Sequence, residues 1–391
     1  MDLAFQLRLF LYGNRNSTKN ERDEYTMKPL SLYKCRRYLS DYLSDTTRLR
    51  KRRVGILLGY VGTGYYGMQY NTPMFPTIES TLFDTLVSVG CISKDNSVDF
   101  HKNGFMRACR TDKGVHAMVN VISVKMSKYD EPHIKDMINK LLVPKGIRVW
   151  DIKMVNKRFN CRRAVSSRWY EYLLPTYVLK EPRKDVLMNE GVTSIDLVYY
   201  NEDCYSVPDL RIGKLESVLN HYLGTKRFHN FTTGKETMDS SCMRYVKNIT
   251  ISPPFRKDDN KTEWVSLKIQ GQSFMLHQIR KMIWLATLIA RSNLQIEYVD
   301  KFLQDSRIYI PNAPATGLLL NYPEFAAYNE KLKRLGYETI ETNKYRKELQ
   351  EFKDKFIYKR IFQQETETPY PFILFAKSQE EWLQTITHTK V

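Results

Sequence analysis

The chain has 391 residues, 61 of them Lys or Arg against 43 Asp or Glu, for a formal charge of +18. With 42% hydrophobic and 27% charged residues it is too apolar for a disordered chain, and its length is natural for two domains. No apolar run reaches the roughly 18 residues of a membrane-spanning helix, and the N-terminal apolar stretch is broken by Arg8 with no secretory cleavage pattern after it.

Residues 1–50 read as an extension, polar after Tyr12. It leads into Arg48-Leu49-Arg50-Lys51-Arg52-Arg53, a run that reads as a solvated lead-in, a nuclear localisation patch or a phosphate contact. A strand is expected at 54–60, then a Gly-rich loop with Gly62, Gly64 and Gly67. The loop lacks the third Gly and the Lys of the standard phosphate-binding motifs, so it reads as a tight turn with close backbone approach. Thr77 caps a helix running to about Val89, with Ile78, Leu82, Leu86 and Val89 on one face and Gly90 as its stop. Strands follow near 105–109 and at 117–126, separated by the loop Arg110-Thr111-Asp112-Lys113-Gly114-Val115-His116. A helix at about 132–142 carries Ile134, Met137, Ile138 and Leu141, and strands are expected at 147–155 and 168–175. In the latter, Arg168, Tyr170 and Tyr172 share a face. Further on come a helix through Ile212, Leu215, Leu219 and Tyr222, strands at 244–251 and 263–270, an apolar helix at 276–290 and a shorter one near 296–303. Residues 331–391 read as appended helices. The organisation is an N-terminal extension (1–50), an N-terminal lobe with the Asp loop (51–165), a C-terminal lobe (166–330) and the appended helices (331–391). The class is α/β (α+β), with antiparallel or mixed sheets flanked by helices.

The six cysteines, Cys35, Cys91, Cys109, Cys161, Cys204 and Cys242, form no Cys-x-x-Cys pair, and the seven His are scattered. That spacing offers no metal site and fits reduced thiols. The positive charge points to a polyanionic partner, first of all nucleic acid, and 13% aromatic residues among the basic ones suit unpaired bases. Asp112 lies in a turn between two apolar strands. It is either a turn residue bonding its own backbone or a carboxylate presented at a strand end as a nucleophile.

That loop resembles the catalytic motif of the TruA-type pseudouridine synthases. Other stretches resemble the family in the same order: the segment from Gly59 to Gln69; Phe159-Asn160-Cys161-Arg162 with Arg168-Trp169-Tyr170-Glu171-Tyr172; the segment from His229 to Lys235; the segment from Gly271 to Arg280; and the segment from Ala313 to Leu320. The wording is most similar to the eukaryotic tRNA pseudouridine synthase 1 and 2 subgroup, over roughly 53–328. The resemblance implies a pseudouridine synthase fold of two pseudo-symmetric lobes facing each other over a basic cleft. It also implies isomerisation of uridine in tRNA, around the anticodon stem, without cofactor or metal. Asp112 is then the nucleophile, attacking either base or sugar, and Tyr170 packs on the uracil and helps remove the C5 proton. Arg280 pairs with the Asp, Arg110 helps extrude the base, and Arg168, Phe274 and His277 join it in binding substrate. The partner is tRNA, with other structured RNA and the choice of monomer or homodimer open, and no membrane.

Trp284, where the family usually has Gly, is a departure four residues from Arg280 that puts the packing behind the site in question; Cys109 is a minor one. A catalytically silent tRNA-binding paralogue acting as RNA chaperone is the competing reading, with Trp284 as its support. A general basic nucleic-acid binder would leave the ordered motifs unexplained. Residues 1–11 read as a short presequence, atypical in Asp2, and the chain is short for the subgroup. The expected compartment is the mitochondrion, with the nucleus as the alternative.

Overall fold

This computed structural model describes residues 51–183, 191–200, 205–257, 261–304 and 306–388. The presequence reading, residues 48–50 of the basic run, Cys35 and Cys204 lie outside the described residues.

Among the described residues nine strands form one mixed sheet: β1 (Arg52–Tyr60), β2 (Met106–Arg107), β3 (His116–Met126), β4 (Ile147–Met154), β5 (Ser167–Pro175), β6 (Gly224–Arg227), β7 (Met243–Ile251), β8 (Trp264–Gly271) and β9 (Leu318–Glu324). Their order is β4-β1-β3-β9-β5-β8-β7-β6, with β2 added to β3. From Val54 to Tyr60, β1 is buried throughout, because it is paired on both edges and covered on both faces. Its side chains therefore show a continuous apolar run rather than an alternation.

The two halves expected from the sequence are arms of this single sheet, joined by β9. It runs parallel to β3 through His116↔Leu319 and Ala117↔Leu320, and antiparallel to β5 from Ser167↔Glu324 to Tyr172↔Leu318. Neither β9 nor the four-residue β6 was expected as a strand. β6 is short and takes its conformation from β7, whereas β9 opens on an apolar run without alternation and takes its own from partners some 150 and 200 residues back.

The helix Ile78–Ser88 has the expected Thr77 cap, reinforced by a reciprocal bond with Ser80. In the helix Ile134–Leu142 the inward row is Ile134, Ile138 and Leu142, whereas Met137 and Leu141 face outward. The true row follows the i, i+4 spacing from Ile134, and the expected one drifted off it. The helix Gln278–Arg291 has buried residues on all sides, as befits a helix surrounded by protein. Against it pack the helices Asp209–Asn220 and Pro371–His388. Between the helices Arg346–Phe352 and Lys359–Thr366 the backbone makes one π turn, Lys353–Tyr358. That turn places Lys353 and Tyr358 on Glu171, with Lys353 Nζ 2.6 Å from Glu171 Oε2. Although burial alone would raise it, the Glu171 carboxyl lies below its usual range, pulled down by Lys353, Ser266 and Tyr358.

Candidate active site

The Asp112 loop is held from inside the sheet. Asn120 on β3 brackets Cys109, accepting from its N–H at 3.2 Å and donating to its carbonyl at 2.9 Å. The Asn120 amide also donates to the Tyr60 hydroxyl at 3.3 Å, which in turn lies 2.8 Å from Thr111 Oγ1. On the outer side the Gly-rich loop lies against it, Met68 N–H donating to the Thr111 carbonyl at 3.1 Å. A Cβ on Gly62 would stand 2.2 Å from the Val115 carbonyl oxygen; one on Gly67, whose φ is +93°, would stand 2.9 Å from that of Thr111. These two glycines serve close backbone approach, as the sequence reading has it.

The loop after β8 supplies the opposite wall. Gly271 leaves room for the Phe274 ring, which a Cβ would meet at 2.6 Å, and Phe274 stands edge-on to Tyr170 at 5.4 Å. Arg244 donates to Ser273 Oγ at 2.7 Å. His277 caps the helix Gln278–Arg291 with φ +64° and brings its Nε2 to 3.7 Å from Asp112 Oδ2. Arg168 spans both walls, donating to the carbonyls of Ala108 and Gln272.

Together these walls enclose a cavity of about 400 Å³. Asp112, Tyr170, Arg280, Arg110, Arg168, Phe274 and His277 all line it. The sequence reading missed Arg107, Arg162, Arg244 and Ser273, which line it too. Arg107 is fixed by an ion pair to Glu79, a fully buried carboxylate. Arg162 and Ser273 lie within quoted motifs and could have been singled out; Arg244, 29 residues before Ser273, lies outside them and gave no local signal.

Burial raises the Tyr170 phenol well above its usual range, so it stays protonated at neutral pH. Burial also lowers the His277 imidazole, with Asp112 opposing and Arg280 assisting the fall. The Cys109 thiol is pushed up to about 11 by burial, with Arg168 opposing, and is no rival nucleophile. Arg280 is not in contact with Asp112. Its Nε donates to the Ala313 carbonyl at 2.6 Å, and the carboxylate acts on it at longer range. Among the described residues the basic side chain within 4.0 Å of Asp112 is His277, an imidazole that carries charge only when protonated.

A family model described as tRNA pseudouridine synthase matches residues 218–326. The chain is 44% identical over 380 residues to tRNA pseudouridine synthase 1 of Candida glabrata, covering 81% of this chain and 69% of that one. It is 44% identical over 369 residues to tRNA pseudouridine synthase 1 of Saccharomyces cerevisiae, covering 78% and 67%. It is 39% identical over 334 residues to the tRNA pseudouridine(27/28) synthase of the same yeast, covering 72% and 86%.

The chain belongs to the TruA-type tRNA pseudouridine synthase family.

In this family member Trp284 lies away from the cavity. Its Nε1 donates to Ser378 Oγ at 3.3 Å and its ring meets Trp382 edge-on at 5.7 Å. The larger side chain is thus matched by the C-terminal helix Pro371–His388. Arg110, exposed at the cavity mouth near Arg107 and Arg162, adds to a positive rim suited to the phosphates of such a synthase's RNA.

Proposed function

We propose that this chain isomerises uridines of the tRNA anticodon stem to pseudouridine, with Asp112 as nucleophile. The observation that carries the reading is a carboxylate facing an arginine-rimmed cavity of about 400 Å³ that also holds a buried tyrosine ring. The uridine leaves its stack and enters the cavity, with its displaced phosphates against Arg107, Arg110 and Arg162. Asp112 adds to the nucleoside, at base or sugar, the N1–C1′ bond breaks, the freed uracil turns against Tyr170, C5 bonds to C1′ as the bond to Asp112 is released, and the C5 proton leaves while N1 takes one up, so that the product is an isomer of the substrate. Tyr170, itself protonated, presents a ring surface to the uracil. It takes the C5 proton only by passing on its own. Phe274 holds Tyr170 edge-on, and Arg168 keeps the two walls in register. One relative bears 27/28 in its name, positions of the anticodon stem, which supports that region as the target. The silent-paralogue alternative leans on Trp284, whose ring faces the C-terminal helix. The proposed compartment is the mitochondrion.

The test is incubation with unmodified tRNA transcripts, followed by mapping of pseudouridine. Asp112→Asn should abolish the product and keep tRNA affinity within a few-fold. Turnover close to wild type in that variant would overturn the assignment.

A further inference from the structure

Just outside the cavity, the loop between β1 and the helix Ile78–Ser88 exposes two aromatic rings. Tyr66 and Phe75 are each 41% exposed, their centroids 4.5 Å apart and their planes inclined by 32°. Met74 beside them is 80% exposed. The neighbouring Tyr65 is employed structurally, its hydroxyl donating to the Lys145 carbonyl at 2.8 Å. Tyr66 and Phe75 have no such task, and clustered exposed rings of this kind mark interaction surfaces.

The rings are fixed in place. Tyr66 N–H donates to the Pro76 carbonyl at 2.8 Å, closing the loop, and Pro73 and Pro76 restrict the backbone around Phe75. Gly67 presses the loop onto Thr111. Tyr70 N–H donates to Glu79, which holds Arg107 of the cavity wall. A cation completes the group: Lys113, the residue after Asp112, sets its ammonium 4.1 Å from the Tyr66 ring centre.

We propose that Tyr66, Phe75 and Lys113 form a stacking platform beside Asp112 that receives the unpaired base of a nucleotide flanking the target uridine, with Lys113 facing that nucleotide's phosphate. This rests on the reading of the cavity as a uridine site. Extruding a uridine strips its neighbours of a stacking partner. An aromatic surface adjoining the Asp loop, with a positive charge on it, replaces that partner for any base, because every base has a π face.

The experiment is a binding cycle in the Asp112→Asn background, where RNA is held without turnover. Anticodon-stem transcripts carry an abasic residue scanned one nucleotide at a time, and each is measured with and without Phe75→Ala. At one position the abasic residue should weaken binding about 10-fold to the protein with Phe75, and not further to Phe75→Ala. Phe75→Trp should restore the dependence and Phe75→Leu should not. With Asp112 intact, Phe75→Ala should raise KM about 10-fold, with a smaller change in kcat. Additive effects at every position, or an unchanged KM, would overturn the platform. Pseudouridine formation without any coupled position would sink the platform and spare the activity. A coupled position in a protein that makes no pseudouridine would do the reverse.

Discussion

His277 holds its imidazole 3.7 Å from the Asp112 carboxylate from a backbone position in the left-handed region, φ +64°. A residue with a Cβ loses about 1 kcal/mol there relative to glycine. The surroundings therefore impose the conformation, and its effect is to aim the ring into the cavity at the start of the helix Gln278–Arg291. Replacement by glycine separates the two consequences. His277→Gly should unfold no more easily than wild type, with a gain of up to about 1 kcal/mol in urea titration. Its turnover should fall 10-fold or more. Turnover within two-fold of wild type would show that the ring does nothing for Asp112.

Arg168 bonds two carbonyls on opposite walls, Ala108 before the Asp loop and Gln272 after β8. A lysine keeps the charge but cannot offer two donors in a fixed fork. Arg168→Lys should therefore lower kcat about 10-fold or more while leaving RNA affinity within about three-fold. An equal loss in affinity and turnover would recast Arg168 as a phosphate contact.

The parts of this architecture that were legible are those written locally. The Asp112 loop is contiguous and leads into the apolar strand β3, and the helix at Thr77 declares its own cap. The strand β9 was not legible, because Leu-Leu-Leu-Asn-Tyr-Pro-Glu shows no alternation and holds a proline, and its partners lie some 150 and 200 residues back. β6 is Gly-Thr-Lys-Arg, four residues with no strand signal, made a strand by pairing with β7. Trp284 misled for the same reason. Spacing from Arg280 pointed it towards the site, but its partners Ser378 and Trp382 come nearly 100 residues later. In the site, the resemblance found the residues carried by motifs. The Arg244–Ser273 pair depended on β7 meeting the loop after β8.

Glu365, on the helix Lys359–Thr366, is 1% exposed, and burial raises its carboxyl to about 7 against hydrogen bonds from Tyr177 and Thr262. The folded value lies above the unfolded one, so the folded state binds the proton more tightly across the window from about 4.5 to 7. This group's contribution to stability is full below that window and is lost as pH rises through it. Glutamine carries no such dependence. Glu365→Gln should gain about 1–3 kcal/mol over wild type at pH 8 and little at pH 5, read from urea midpoints. An equal gain at both values would mean that the carboxyl does not titrate in this window.

The far end of the helix that begins at His277 is anchored by Arg291, fully buried, with its Nη2 donating to Glu380 at 2.8 Å; that carboxylate is fully buried as well. Arg291 also donates to the carbonyls of Lys180 and Ala376, at 2.8 and 2.7 Å, and to the Tyr200 hydroxyl at 3.2 Å. Every donor is satisfied by groups that water would otherwise replace, so removing the carboxylate strands a charge in a dry interior. Glu380→Ala should cost about 3–5 kcal/mol of stability. Pairing it with Arg291→Met should recover part of that loss, since it removes the stranded guanidinium, while the Lys180 and Ala376 carbonyls lose their donor and Tyr200 and Arg183 lose the carboxylate. The helix has 14 residues, so this anchor stands about 20 Å along the axis from His277. At temperatures well below the transition the kcat of Glu380→Ala should then remain within about two-fold of wild type. A fall in kcat matching the loss of stability would show that the C-terminal helix sets the position of His277 and Arg280, and that the anchor belongs to the site's machinery as well as to the fold.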